Sequence, residues 1–285
     1  MRNEFNEVDQ KILLESSDVI KSFTNFGLEV WVSRLRDYPN DTYDLASNLL
    51  FRQILEAGDG IFELVKVGCI NANKSLLRMA LDCYLQFAFL VEKDERKRAA
   101  HFLYHYNRNR LAYLERILNP EHENSLAKKL ANDDVMNDIS LTDEEKEMAI
   151  VDYSNLKEII NSVENEEVAK EYGIKRKQAW YQVFINSHKI EDLAKSLKRS
   201  AMYEIVFRNL SSFIHGEDII HSNIIFYPDG VIGYKNLRDA TQLNFIVINT
   251  IIILRRSILL FIEAKMNSDQ DLILKLKSIN DLRKK

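Results

Sequence analysis

Arg208 and His215 are the two residues whose types and spacing best suit chemistry. They stand seven apart in the stretch 203–216, YEIVFRNLSSFIHG. On a helix turning about 100° per residue they point nearly the same way, two turns and roughly 10 Å apart along the axis. A guanidinium carries a permanent charge that neutralises phosphate, and an imidazole moves a proton near neutral pH. Glu204, Ser211 and Ser212 fall on the same polar side, whereas Tyr203, Val206, Leu210, Phe213 and Ile214 share the apolar one. Gly216 stands where a left-handed C-cap residue belongs, so His215 occupies the last helical turn, where the dipole favours imidazolium. A solvated helix face, or a buried hydrogen-bond network, would present the same stripe without chemistry.

The elements that must position this stripe are helical. With three prolines and eight glycines in 285 residues, the chain is too poor in turn formers for a β-sandwich. Apolar residues recur at three- and four-residue steps over 7–37, 43–70, 74–92 and 94–118. Asn73 stands as a cap for the third of these, and Gly58 and Gly60 inside the second permit a bend or a close helix crossing. Within the third, Arg78 and Asp82 are spaced i, i+4. They form either a register-fixing ion pair or, with Asp82 as orienting group, a support for a catalytic Arg or His across the bundle. Thr142-x-x-Glu145 is a capping box, and helix is expected over 142–170 after a loop near 132–141. The β-formers flanking Pro228-Asp229-Gly230 mark one hairpin near 223–234. Helix resumes over 238–265, where Arg255 and Arg256 leave an apolar run of only about 12 residues, too short to span a bilayer. The fold class expected is all-α: a bundle of five to seven helices with one small β-hairpin. It forms a single helical domain over 1–285, with an acidic insert at 121–172 and a charged tail at 266–285.

Charge is segregated despite a net of −4. The segment 133–167 is strongly acidic, while 96–116 carries Arg96, Lys97, Arg98, Arg108, Arg110 and Arg116. Basic residues interleaved with Tyr104, Tyr106 and Tyr113 suit stacking on unpaired bases, although helix packing explains the tyrosines more simply. His101 and His105 have a spacing that can chelate a metal, yet no acidic third ligand matches on that helix, so both read as core or interface histidines. No metal and no cofactor is expected. Cys69 and Cys83 lie in apolar helical pattern and read as reduced core residues of a cytoplasmic protein, and the charged N-terminus lacks a signal peptide's apolar region.

Two resemblances extend this. Arg208, followed by the polar Asn209 and then His215 after six intervening residues, resembles the R-x(4–6)-H motif of HEPN domains. Those are all-helical, and many are metal-independent ribonucleases that act as dimers. Over roughly 45–265 the chain also resembles the family known as domain of unknown function 5677. The resemblance rests on S-L-L-R-x-x-x-D-x-Y-L-Q-F-A-F-L, which contains Arg78 and Asp82, and on the series Tyr203, Phe207, Leu210, Ser211, His215. Asp82 stands where that family has Glu, and Phe207 where it has a second Tyr. Its members look HEPN-like and are often associated with bacterial anti-phage defence. The resemblance implies a toxin-type endoribonuclease with Arg208 and His215 catalytic. Glu204, Asn209, Ser211, Ser212, Arg78 and Asp82 would support them. RNA is the implied partner, a homodimer the implied assembly, and no membrane is involved. The alternative is a non-catalytic interaction module, or a regulatory partner of another protein such as an antitoxin.

Overall fold

The computed structural model describes residues 5–38, 41–136, 140–173, 178–214, 223–228 and 230–281, with backbone alone for 212–214, 280 and 281. In chain order the helices are α1 (Glu7–Asp37), α2 (Asp44–Lys66), α3 (Ile70–Glu92), α4 (Glu95–Leu118), α5 (Leu126–Ala131), α6 (Asp143–Ile160) and α7 (Glu166–Tyr172). Then come α8 (Gln182–Ile185), α9 (Ile190–Ser196), α10 (Ser200–Met202), a π-helix (Tyr203–Arg208) and α11 (Asn209–Ile214). Strands β1 (Ile224–Phe226) and β2 (Ile232–Tyr234) precede α12 (Leu243–Lys265) and α13 (Gln270–Asp281). The helices thus outnumber the five to seven expected, because short helices punctuate the connections that periodicity left unassigned. The five longest, α1–α4 and α12, correspond to the strongly periodic stretches.

The chain divides into two compact units, 1–95 with 189–285, and 96–188. In the first, α1, α2, α3 and α12 pack on one another. Asn6 caps α1 by accepting the Asp9 N–H at 2.8 Å. Helix α3 starts at Ile70, so Asn73 is not its cap; it is buried in the first turns and donates to the Cys69 carbonyl at 3.3 Å. Of the two α2 glycines, Gly58 permits a close crossing: a Cβ there would stand 2.8 Å from Thr24 Oγ1 and 3.0 Å from a Leu254 methyl. Phe51 and Phe261 stack at 4.1 Å in the same core. Each such fully buried side chain contributes about 1.5–3 kcal/mol.

Asp44 ties three helices of this unit together. It accepts from Arg34 at 3.0 Å and from Lys265 at 2.7 Å, and Lys265 also meets Glu95. Burial pulls the Asp44 pKa up, but the Lys265 hydrogen bond, the Asp41 backbone and the two cations together hold it below the usual carboxylate range.

By length and composition α12 can cross a membrane, which corrects the 12-residue limit: two arginines do not disqualify the window. Its packing makes it a core helix, with Ile246, Ile253, Leu254, Ile258, Phe261 and Ile262 buried.

The hairpin lies where the turn residues place it. Ile224 pairs with Tyr234 and Phe226 with Ile232, antiparallel, and Gly230 supplies the positive φ of the turn.

In the second unit the expected capping box starts α6, with the Glu145 N–H reaching Thr142 Oγ1 at 3.2 Å. Gly173, at φ +74°, ends α7. Tyr104, Val168 and Tyr172 form the core there, and Trp180 is fully buried.

Candidate functional site

Residues 200–214 form one continuous helical stretch whose hydrogen-bond ladder changes type at Tyr203 and returns to α at Asn209. The wider π-turn was not legible in the sequence. It brings residues four apart closer into line, and the Tyr203 and Phe207 rings stack at 5.2 Å with planes 19° apart. Val206, Phe207 and Leu210 are buried, whereas Glu204, Ile205, Arg208 and Asn209 are exposed. The expected apolar side thus holds for Val206 and Leu210, and Phe207 joins it. Turns of this kind recur at functional sites.

Arg208 lies at the end of the π-turn with 58% of its side chain exposed. Its Nε donates to Glu204 at 3.0 Å, and Nη2 stands 3.6 Å from Glu191 on α9. The guanidinium also lies 5.7 Å from the Tyr203 ring centroid. Glu191 takes Lys195 at 2.8 Å. That hydrogen bond, helped by the charges of Lys195 and Arg208, holds Glu191 below the usual carboxylate range, with desolvation and the Asp192 charge opposing. Exposed pairs of this kind hold only weakly. Sequence spacing does not link Glu191 to Arg208, since it lies 17 positions earlier on another helix.

Arg78 and Asp82 do not close the expected ion pair. Arg78 instead places its guanidinium 4.5 Å from the Phe207 ring centroid, and Asp82 accepts from Gln86 at 3.0 Å. Burial raises the Asp82 pKa, with Gln86 and the Arg78 charge opposing. Burial, followed by the Asp82 charge, pushes the neighbouring Cys83 thiol up to about 12, so it stays protonated. The partly buried Asp82 carboxylate is a cost that the Gln86 hydrogen bond and the Arg78 charge offset only in part.

Asn209 lines a cavity of about 230 Å³ with Lys74, Leu210, Gln242 and Phe245, and Lys74 is buried. Ser211 is half-buried. His215, Gly216 and the side chain of Ser212 lie outside the described residues, so the Arg208–His215 separation has no distance here.

His101 and His105, in the second unit, are buried in hydrogen-bonded positions. His101 Nε2 meets Glu171 at 2.9 Å, and Glu171 also takes Lys97 at 2.6 Å. His105 contacts Tyr172 OH and receives the Asn109 amide at 2.8 Å. Among the described residues no three His, Cys, Asp or Glu side chains are placed to hold a metal ion.

Residues 44–225 match the model of the family of unknown function DUF5677. The match begins at α2 and ends within β1, short of the α12 helix that the resemblance was expected to reach. No curated protein and no solved structure matches the chain.

Proposed function

The chain belongs to the DUF5677 family, and on that premise we propose that it is a HEPN-like, metal-independent endoribonuclease of bacterial defence or toxin type, working in the cytoplasm as a homodimer. One observation carries this: Arg208 presents its guanidinium to solvent at the end of a π-turn, rather than folding it against Asp82. In this reading Arg208 neutralises the scissile phosphate. His215 takes the proton of the 2′-hydroxyl, or gives one to the leaving 5′-oxygen. Attack of the 2′-oxygen on phosphorus breaks the bond to the 5′-oxygen and leaves a 2′,3′-cyclic phosphate. Asn209, Ser211 and Ser212 orient the phosphate, and Glu204 holds Arg208 in its resting position. A two-fold partner supplies a second Arg and His.

A second reading has its own support. Two carboxylates, Glu204 and Glu191, already face Arg208 and repel an anion. A stripe neutralised in this way suits a non-catalytic module that binds or regulates another protein, such as an antitoxin pair.

Purified protein incubated with total RNA and with tRNA, with and without EDTA, separates the two. The nuclease reading expects chelator-resistant cleavage with cyclic-phosphate ends. His215→Ala should lose about 10²–10⁴ in rate. Arg208→Lys should fail nearly as badly, because an ammonium cannot bind phosphate bidentately. Cleavage equal in wild type and His215→Ala would remove the catalytic assignment. If the wild type is silent, growth arrest on expression that His215→Ala abolishes would sustain it, and equal arrest from both would favour the interaction module.

A further inference from the structure

A groove between α3 and α12 carries opposite charges at its two ends. On α12 its wall is the stripe Arg256, Leu259, Leu260, Glu263, at the i, i+3, i+4 and i+7 positions of one helix face. On α3 the wall is Tyr84, Ala88 and Glu92, each four residues from the next. The C-terminal ends of the two helices lie together, because Lys265 meets Glu95 just past both stripes. Glu92 and Glu263 therefore share one end of the groove. Tyr84 and Arg256 share the other, about two turns or roughly 10 Å away along the axes. Arg199 joins that second end, where its Nε donates to the Tyr84 hydroxyl at 3.4 Å. The turn after α9, with Lys198 at φ +57°, brings it there. Ala88, Leu197, Leu259 and Leu260 supply uncharged surface between the ends. Among the described residues neither Arg199 nor Arg256 pairs with a carboxylate, and Glu263 pairs with no cation.

We infer that this groove binds a small zwitterion whose carboxylate and ammonium are held apart by a short apolar chain, an ω-amino carboxylate. The carboxylate lies with Arg199 and Arg256, since a guanidinium binds it with paired N–H donors. Tyr84 is buried and accepts from Arg199, so its own O–H is left to donate to the same carboxylate. The ammonium lies between Glu92 and Glu263, and its three donors suit two carboxylates. The chain between them covers the leucines, where each methylene taken from water strengthens binding about fourfold. Size agrees: the groove holds about 190 Å³, less than the roughly 300–1,000 Å³ of drug-sized sites. A phosphate or a nucleic-acid strand would meet the two glutamates, and an uncharged ligand would leave both ends without partners. No residue of the groove belongs to the Arg208 stripe, so its ligand is independent of the nuclease reading.

The test is a ligand-observed NMR titration of the full chain with 6-aminohexanoate, hexanoate, hexylamine and glycine. 6-Aminohexanoate is expected to bind with a Kd below about 10 mM, and each of the others at least about tenfold more weakly. Hexanoate and hexylamine lack one charge each, and the two charges of glycine stand too close together to reach both ends. Glu263→Gln should erase the preference over hexanoate, and Arg256→Gln the preference over hexylamine, whereas a merely structural loss would weaken every probe alike. Arg52→Gln, on α2 outside the groove, should leave all affinities unchanged. Circular dichroism checks that the variants fold, and should one misfold, the wild-type ratios decide alone. Failure of 6-aminohexanoate to bind at 10 mM, equal binding of hexanoate and 6-aminohexanoate by wild type, or preferences that survive in both folded variants overturn the proposal. A wild type that sediments at twice the 33.3 kDa chain mass, with Arg256→Gln monomeric, would also overturn it, in favour of a second copy in the groove.

Discussion

The Arg78 guanidinium lies 4.5 Å from the centroid of the Phe207 ring, and Phe207 stacks on Tyr203, whose ring in turn lies 5.7 Å from the Arg208 guanidinium. Two arginines on different helices are thus joined by two aromatic rings. Half-buried cation–π contacts contribute about 0.5–2 kcal/mol. A double-mutant cycle of Arg78→Met with Phe207→Leu, read from urea melts, should therefore give a coupling of about 1 kcal/mol. The cycle of Arg78→Met with Asp82→Asn should give less, because the Arg78 charge reaches Asp82 without a direct pair. A larger Asp82 coupling would mean that the ion pair forms in solution.

Gly58 and Gly60 should respond oppositely to alanine. Each substitution gains about 1 kcal/mol of helix propensity. At Gly58 the new methyl meets Thr24 Oγ1, a short buried side chain whose hydroxyl is bonded to the Ile20 carbonyl. Overpacking of about 1–3 kcal/mol outweighs the gain there. At Gly60 the methyl meets only the flexible end of Leu76, so Gly60→Ala should be neutral or stabilising. Urea melts that rank the two variants the other way would contradict the crossing geometry.

Acidification should loosen the 96–188 unit. Burial depresses the His101 pKa below its ordinary 6.5, with Glu171 opposing. Nε2 faces Glu171, and Nδ1 is buried with no hydrogen-bond partner among the described residues, so a second N–H has no acceptor there. The neutral form is favoured on folding, so its stabilisation is complete above pH 6.5 and is lost as pH falls through the lower folded value. Glu171, depressed chiefly by Lys97, adds a loss of the same sign below its ordinary 4.5. Amide exchange of residues 96–188 between about pH 7 and 5 should show this loss, and His101→Gln should flatten it. An unchanged slope would place the titration elsewhere.

Glu191→Gln removes one of the two carboxylates that face Arg208. Stability should barely change, since the pair is exposed. Under the nuclease reading RNA binding should tighten, because a repelling charge is gone. Weaker RNA binding, measured by fluorescence anisotropy, would count against Arg208 as the phosphate group.

The local features were legible in the sequence. The long helices, the Thr142–Glu145 capping box and the hairpin around Pro228–Gly230 follow from hydrogen bonds and turn preferences spanning two to five residues, which spacing alone encodes. The same holds for the side that Val206 and Leu210 bury, and for Glu204 reaching Arg208 one turn away. What only the tertiary structure decided involves residues far apart in the chain. Glu191 beside Arg208, Arg78 over Phe207 rather than on Asp82, and Gly58 against Thr24 and Leu254 all depend on how helices cross. The π-turn at Tyr203–Arg208 belongs with these. Hydrophobic period records which face of a helix is apolar, but not which neighbour it meets. A long charged side chain such as Arg78 reaches several partners, and the three-dimensional neighbourhood selects among them.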